Sequence, residues 1–366
     1  MHIAFYAPLK SPHHPVPSGD RAMARMLIAA LKQHGHNVDL ISELRSYSSQ
    51  PDAAAYGAIK AHAQREADRI SDLWAQTGRP DLWLSYHPYY KAPDLLGPGL
   101  TLAAGIPYAT VETSYSERRN IGHWALMQEH VLHGIERAAV NICLTNRDCD
   151  GIQLAAPAAK VAMLLPFINA KPFLTDQPGP GVDAYRLITV AMMRPGDKLN
   201  SYKMLANALG RVSAALPWRL SIVGDGAMRA EVEGLFADFG ERRIIWHGEA
   251  APVQIAELMA HSALYVWPGY GEAYGLAYLE AQAAGLPVVA QRTAGVPEVV
   301  QDGVTGILTA VNDPNAFAQG IEKLLNNHDE RRAMGAAARQ FVLRERTLDR
   351  AAQRLDQILR VAGNWT

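Results

Sequence analysis

The chain has 366 residues, which is too long for a single hydrophobic core and fits two domains. Apolar residues make up 49% of the chain and charged residues 19%, a composition typical of globular proteins. Lys and Arg together number 35 and Asp and Glu 36, so no excess of positive charge indicates nucleic acid as a partner.

Strand-like and helix-like segments alternate along the whole chain, which predicts an α/β protein with parallel sheets. The amino terminus, MHIAFYAPLK, has no basic region and its apolar run stops at Pro8. We therefore interpret it as a first strand and not as a signal peptide. Further segments of the first half are predicted as strands at NVDLIS, DLWLSY, PYATVE, VNICLT and KVAMLLP, and as helices over residues 21–34 and 53–76.

Residues 169–183 are rich in Pro and Gly and are predicted to be a linker. A second alternating set of strands and helices follows. Its predicted strands are RLITVAMM, RLSIVG, RIIWHG, SALYVW, PVVAQ and GILTA, and its predicted helices include residues 201–215, 275–284 and about 345–361.

Two glutamates in the second half, Glu272 and Glu280, are the most informative residues of the chain. Glu272 lies in a glycine-flanked loop after a buried strand and Glu280 in the helix that follows, and open α/β sheets bind ligands at the carboxyl ends of their strands. The amides of Tyr274, Gly275 and Leu276 would face an anion at the start of that helix. This arrangement suits a nucleotide-sugar, with Glu280 accepting from the ribose hydroxyls and Glu272 from a hydroxyl of the sugar.

The segment EAYGLAYLEA, followed by GLPVV, resembles the signature of glycosyltransferase family four, whose members are retaining enzymes of the GT-B fold. The resemblance is specific over about residues 185–325. It implies an α/β GT-B architecture of two Rossmann-like domains with a cleft between them. Residues 1–168 would form the acceptor-binding domain and residues 184–344 the nucleotide-sugar-binding domain, and a helix over about 345–366 would pack back on the first domain.

Glycosyl transfer must stabilise the negative charge that grows on the departing diphosphate, and fixed cations and amides supply the largest catalytic effect there. Arg194 and Lys198 follow the strand RLITVAMM. The family has an arginine and a lysine at this point, so the resemblance implies that both clamp the diphosphate. The lysine comes one residue sooner here than is usual in the family. With these cations and the helix amides available, we expect the reaction to need no metal.

Two glycines complete the predicted donor site. Gly224, in the segment VGDG, resembles the family's loop beneath the nucleotide, and a tight strand-to-helix turn explains it equally well. Gly19 precedes the first long helix, where the family often has two glycines whose amides approach the donor phosphate and the acceptor. The neighbouring Asp20 belongs to this loop or caps the helix.

Glu112 departs most clearly from the family's pattern, because many relatives have a histidine at this point and this chain reads TVETS. The resemblance places Glu112 near the donor sugar. A carboxylate can accept from a sugar hydroxyl or counter a developing positive charge, but it cannot supply an imidazole donor. Glu112 would be a catalytic residue with altered donor preference, a sign of altered or lost activity, or the partner of a base such as Arg118.

The resemblance implies a retaining, metal-independent glycosyltransferase, and we expect a hexosyltransferase. It would move a sugar from a UDP- or GDP-linked donor to a hydroxyl of a saccharide or a lipid-linked glycan, and the nucleotide-sugar would be its substrate and not a cofactor. The alternative is a nucleotide-sugar-binding GT-B protein without transfer activity, motivated by Glu112 and the single Gly19. A nicotinamide oxidoreductase is disfavoured because no Gly-x-Gly-x-x-Gly follows the first strand.

Cysteine, histidine and hydropathy patterns bear on cofactors and location. Cys143 and Cys149 are the only cysteines, so no disulfide framework is implied and a reducing cytoplasm fits. The histidines show no close metal-ligand spacing, which favours hydrogen-bonded or solvated histidines over a metal site. No apolar run approaches the roughly 20 residues that span a bilayer, so membrane contact, if there is any, would be peripheral.

Overall fold

The protein is described by a computed structural model that covers residues 1–16, 18–50, 52–174, 183–240, 242–273 and 275–363. The chain divides into two compact units, which we call unit 1 (Met1–Leu165 together with the segment from Leu348) and unit 2 (Pro166–Thr347). The predicted linker, 169–183, falls near the start of unit 2, and residues 175–182 of it lie outside the described residues.

The described residues form the following strands and helices. The strands are β1 (His2–Tyr6), β2 (Asn37–Ser42), β3 (Leu82–Tyr86), β4 (Tyr108–Val111), β5 (Val140–Cys143), β6 (Val161–Met163), β7 (Arg186–Val190), β8 (Arg219–Val223), β9 (Ile244–Gly248), β10 (Leu264–Val266), β11 (Val288–Gln291) and β12 (Gly306–Thr309). The α-helices are α1 (Gly19–Gln33), α2 (Ala53–Thr77), α3 (Gly97–Ala104), α4 (His123–Arg137), α5 (Asn146–Ala155), α6 (Asp197–Leu209), α7 (Arg229–Leu235), α8 (Pro252–Ala260), α9 (Leu276–Ala283), α10 (Val296–Val299), α11 (Pro314–Asn326), α12 (His328–Glu345) and α13 (Leu348–Ala362).

Unit 1 is built on a six-stranded sheet in the order β2-β1-β3-β4-β5-β6, and its strand pairs are parallel. Its strands are apolar runs buried by helices, as parallel strands usually are. The Trp83 ring lies edge-on to Tyr6, with 5.8 Å between the ring centroids. Helix α13 packs on α1, where the Gln33 amide donates to Asp349 Oδ1 at 2.7 Å.

Unit 2 is built on a second six-stranded parallel sheet in the order β12-β11-β10-β7-β8-β9. The side chains of Leu187, Ile188, Leu220 and Ile222 are fully buried in its core. The strand order places the ends of β10, β7 and β8 next to one another. The two parallel sheets confirm the predicted α/β class.

Two of the predicted helices have different bounds in the structure. The helix predicted over 201–215 begins four residues earlier, at Asp197, because Gly196 turns the chain with a φ of +81° and the Asp197 carboxylate suits the first helical turn. Lys198 therefore lies in the first turn of α6 and not in a loop. The helix predicted over about 345–361 begins three residues later, at Leu348, since the preceding helix α12 ends at Glu345.

A buried carboxylate, Asp94, joins the end of β3 to the start of α3. Its side chain is fully enclosed, and burial raises the pKa of this carboxyl above its usual range. Its hydrogen-bond donors are the amides of Leu96 (2.8 Å) and Gly97 (2.8 Å), Trp83 Nε1 (3.2 Å), the Tyr108 hydroxyl (3.1 Å) and the Ser85 hydroxyl. Asp94 thus satisfies the first amides of a helix whose N-cap residue, Leu96, provides no side-chain hydrogen bond.

We predict that Asp94→Ala lowers the free energy of unfolding by about 2–4 kcal/mol, because it leaves several buried donors without an acceptor. Urea unfolding followed by circular dichroism measures this difference. The control is Asp72→Ala, at an exposed position of α2, which should change stability by no more than about 0.5 kcal/mol. Equal effects of the two substitutions would contradict the role given to Asp94.

Candidate functional site

Three of the predicted donor-site residues of unit 2 lie in loops at one edge of its sheet. Arg194 follows β7, Gly224 follows β8 and Glu272 follows β10. These three strands are neighbours and run parallel, so their carboxyl ends meet. The structure therefore brings these loops to the edge where open α/β sheets bind ligands.

At this edge Lys198 and Glu272 form an ion pair, in which Nζ donates to Glu272 Oε1. The indole Nε1 of Trp267 donates to the same oxygen at 3.1 Å. The ammonium also lies 5.5 Å from the centroid of the Trp267 ring, within cation–π range. Both charged side chains are largely buried, with exposed fractions of 23% for Lys198 and 15% for Glu272. The two side chains that are predicted to bind the substrate are thus held together, and their opposite charges cancel in part.

Arg194 has a different setting. It is exposed, and no described residue forms an ion pair with it. Its carbonyl oxygen accepts from the amide of Leu199 at 3.1 Å, which fixes its backbone against the start of α6. The guanidinium is therefore accessible to an anion near the end of β7.

Helix α9 starts at the predicted anion site. Gly275 is its N-cap residue and Leu276, half-buried, its first residue, while Tyr274 lies outside the described residues. Gly275 has a φ of +61°, and a side chain there would overlap the ring of Tyr278, so the position requires glycine. No side chain among the described residues caps this N-terminus, which leaves its first amides available to an anion.

Gly224 is required by packing. Its φ is +145°, and a Cβ atom there would collide with the carbonyl oxygen of Ala191 in the loop after β7. Its amide donates to the carbonyl of Gly248 at 2.7 Å. The close approach of two loops therefore accounts for this glycine without any ligand, in line with the tight-turn interpretation.

Glu280 is half-buried on α9, and no described residue hydrogen-bonds or ion-pairs with its carboxylate. Burial raises the pKa of this carboxyl to about 7, because the ionised form loses hydration and gains no compensating charge. Such a group is poised to accept hydrogen bonds from a ligand's hydroxyls.

We predict that Glu280→Gln stabilises the protein at pH 8 and not at pH 4. The folded pKa of about 7 exceeds the ordinary 4.5, so the parent binds more protons when folded and loses stability as pH rises through this interval. The difference between variant and parent should grow to about 3 kcal/mol at pH 8, at 1.36 kcal/mol per pKa unit. Urea unfolding at the two pH values measures it. Glu257→Gln, at an exposed position of α8, is the control, and the same pH-independent difference for both variants would contradict the assignment.

In unit 1, Gly19 is the first residue of α1, and a Cβ atom there would meet nothing within 4 Å. The N-cap residue is Ser18, whose hydroxyl accepts from the amide of Arg21 at 3.2 Å. The interpretation of Asp20 as the cap is therefore wrong. Its carboxylate lies instead 3.0 Å from Nδ1 of His87, which follows β3.

Glu112 directly follows β4 and is only 4% exposed. Its Oε1 lies 4.0 Å from His87 Nδ1. Burial raises the pKa of Glu112 to about 7. Burial would lower the pKa of His87, but the carboxylates of Glu112, Asp20 and Asp148 outweigh that effect and raise it to about 9.

His87 is not among the residues predicted for the site from the sequence. It falls among the histidines predicted to be hydrogen-bonded or solvated, although it directly follows DLWLSY just as Glu112 directly follows PYATV. Two polar residues at the same point after adjacent predicted strands are a signal that could have identified the pair.

Neither a metal site nor a membrane-spanning helix is found among the described residues. No group of three or more His, Cys, Asp or Glu side chains within these residues is arranged to hold a metal ion. None of the helices in the described part of the chain has the length and apolar character required to cross a membrane.

Comparison with known proteins finds sequence similarity in the second unit. Residues 184–327 match the family described as glycosyl transferases group 1. A segment of 146 residues is 32% identical to N-acetyl-alpha-D-glucosaminyl L-malate synthase of Bacillus anthracis and covers 40% of this chain and 38% of that protein. Another of 117 residues is 37% identical to D-inositol 3-phosphate glycosyltransferase of Corynebacterium kroppenstedtii and covers 31% and 26%. The matches thus span less than two-fifths of these relatives.

Solved structures resemble the whole chain. Sucrose-phosphate synthase from Thermosynechococcus elongatus has a TM-score of 0.77 at 20% identity and covers 100% of both chains. The Anabaena protein HepE in complex with UDP has a TM-score of 0.76 at 17% identity and covers 99% of this chain and 100% of that one. At such identities the likeness concerns the fold, and it confirms that the protein has the GT-B fold. Within this fold, the similarity to the group 1 glycosyl transferases covers residues 184–327.

Proposed function

We propose that this protein is a glycosyltransferase that takes its sugar from a nucleotide-diphosphate sugar, linked to UDP or GDP, and transfers it to an acceptor hydroxyl. The observation that carries the proposal is the half-buried Glu280, which has no partner among the described residues and lies on a helix whose N-terminus none of their side chains caps. Glu280, which can accept hydrogen bonds from hydroxyls, and the amides that can bind an anion lie on the same short helix. A nucleotide-sugar presents ribose hydroxyls and a diphosphate together.

Each remaining residue at the unit 2 edge has a role in this proposal. Arg194 and the amides at the start of α9 bind the diphosphate oxygens. Lys198 adds a second cation, held in position by Glu272 and Trp267. Glu272, fixed by the same two partners, accepts a hydrogen bond from a hydroxyl of the transferred sugar. A fixed set of charges needs no reorganisation when negative charge grows on the leaving group.

The relatives support this choice of substrate class. D-inositol 3-phosphate glycosyltransferase is by its name a glycosyl-transferring enzyme. Two structures of HepE are complexes with UDP and with UDP-glucose, the second with a TM-score of 0.74. The acceptor we propose is a saccharide or a lipid-linked glycan.

We further propose that transfer retains the anomeric configuration and needs no divalent metal. The bond between the anomeric carbon and the diphosphate oxygen breaks, and the acceptor oxygen bonds to the same face of the sugar. The acceptor proton passes to an oxygen of the departing diphosphate, so no side-chain base is required. Arg194, Lys198 and the α9 amides carry the charge that a metal would otherwise neutralise.

We predict release of UDP or GDP when the protein is incubated with the matching nucleotide-sugar and a saccharide acceptor, and undiminished release in excess chelator. Arg194→Ala should slow this release about a hundredfold, as loss of a fixed anion-stabilising group does. Chromatography of the nucleotide measures the rate, and proton NMR of the first-formed product gives its anomeric configuration.

The matched control is Arg219→Ala, at an exposed position on the amino end of β8, which should leave the rate unchanged. Absence of release with every UDP- and GDP-sugar would overturn the proposed function. A rate of Arg194→Ala equal to the parent's would remove this arginine from the diphosphate, and rescue of chelated protein by magnesium would contradict a metal-free reaction.

A further inference from the structure

Four ionisable side chains from four elements converge at the carboxyl edge of the unit 1 sheet. His87 and Glu112 directly follow β3 and β4, which pair in parallel with Tyr86 opposite Val111. Asp20 comes from the first turn of α1 and Asp148 from the first turn of α5. His87 is the positive member of this cluster.

The backbone at His87 and Glu112 is unusual. Both residues have left-handed conformations, with φ of +57° and +59°, which cost roughly 1–3 kcal/mol for residues other than glycine. The amide of His87 donates to the carbonyl of Val111 at 2.8 Å, and that of Glu112 to Ile142 at 2.8 Å. These hydrogen bonds hold each strained residue against the neighbouring strand. The backbone positions from which both side chains extend are therefore fixed.

Among the described residues, the contacts of the His87 imidazole with acidic groups are made through Nδ1. Nδ1 lies 3.0 Å from Asp20 Oδ1 and 4.0 Å from Glu112 Oε1. No described residue hydrogen-bonds to Nε2, and the side chain is 20% exposed. A carboxylate that holds Nδ1–H directs the other ring nitrogen to a ligand.

We propose that His87 is a sugar-binding residue of unit 1, whose imidazolium donates a hydrogen bond from Nε2 to a hydroxyl oxygen of a neutral sugar ring. Asp20 is a positioning residue that holds the ring through Nδ1, and the charge of Glu112, 4.0 Å from the same nitrogen, favours the imidazolium. Glu112, with a side chain only 6% exposed, acts through His87 instead of binding the hydroxyl itself. The inference rests on the proposed function, since it assigns the sugar of a glycosyl transfer to this position.

The charge of the cluster selects a neutral ligand. The groups facing His87 are the carboxylates of Asp20, Glu112 and Asp148, and Lys10 acts on Asp20 from the loop after β1. Carboxyl groups therefore outnumber the imidazole, and those that are ionised would repel a phosphate. A hydroxyl oxygen accepts the Nε2–H bond without adding negative charge.

Aromatic rings continue from His87 along the same surface. The Tyr89 ring lies 5.2 Å from the imidazole, Tyr90 follows at 5.3 Å from Tyr89, and Trp124 lies 5.2 Å from Tyr90. All three are partly accessible. Aromatic walls beside a few fixed polar groups are typical of small-molecule sites.

The sugar has two sources, the donor and the acceptor, and substitution distinguishes them. In His87→Ala we expect kcat/KM to decrease about 10- to 100-fold, as for loss of a hydrogen bond from a charged donor. A raised KM for the nucleotide-sugar identifies the donor's sugar, and a raised KM for the saccharide identifies the acceptor. His87→Gln, which keeps a donor without the charge, should recover part of the loss, and His62→Ala, exposed on α2, should have no effect.

The charge state of His87 is tested without turnover. NMR titration of the imidazole C–H signal, assigned by its absence in His87→Gln, should give a midpoint near the pKa of about 9. In Asp20→Asn the midpoint should move to lower pH, because one of the carboxylates that favour the charged ring is removed. The alkaline decline of kcat/KM should shift with it and disappear in His87→Gln.

These results separate the two proposals. Calorimetric affinity for UDP or GDP reports on unit 2, and it should be equal in the parent and His87→Ala. Absence of nucleotide binding and turnover in the parent would count against the proposed function. Normal nucleotide binding with unchanged kinetics in His87→Ala, or a His87 midpoint below 7 that Asp20→Asn does not move, would overturn the role of His87.

Discussion

Each sheet of this protein is wholly parallel, and this constraint brings the carboxyl ends of its strands to one edge. The charged groups of interest directly follow these ends or lie in the helices that start near them. In unit 2 the edge carries Arg194, Lys198 and Glu272, and in unit 1 it carries His87 and Glu112. Since the connections that return along a parallel sheet are mostly helices, each edge also receives helix N-termini, which bind anions or accept acidic residues.

The two edges differ in their balance of charge, and this difference is the physical basis of the functional interpretation. Unit 2 combines an accessible arginine, a lysine paired with Glu272 and a helix start that no described side chain caps, which suits a diphosphate attached to a sugar. Unit 1 holds one imidazolium among three carboxylates, which suits a neutral hydroxyl. At Glu280 burial opposes ionisation in the folded protein, and no described residue offsets the negative charge.

The sequence predicts the fold class, the alternation of strands and helices, and the placement of Glu272 and Glu280, because these depend on local periodicity and a contiguous motif. It does not predict the Lys198–Glu272 pair, whose members are 74 residues apart, nor the early start of α6. It also misses His87, whose left-handed backbone and bond to Asp20 depend on tertiary contacts across 67 residues. Gly224 shows the reverse case, since a residue predicted to bind a ligand has a sufficient packing reason.

Binding of a nucleotide at the carboxyl edge of unit 2 can be measured by hydrogen–deuterium exchange with and without saturating UDP or GDP. We expect slower exchange in the peptides covering residues 194–199 and 275–283, because the nucleotide covers the start of α6 and the amides at the start of α9. Helix α11 should exchange at the same rate in both states. Unchanged exchange throughout residues 184–327 with both nucleotides, or protection confined to unit 1, would contradict the account.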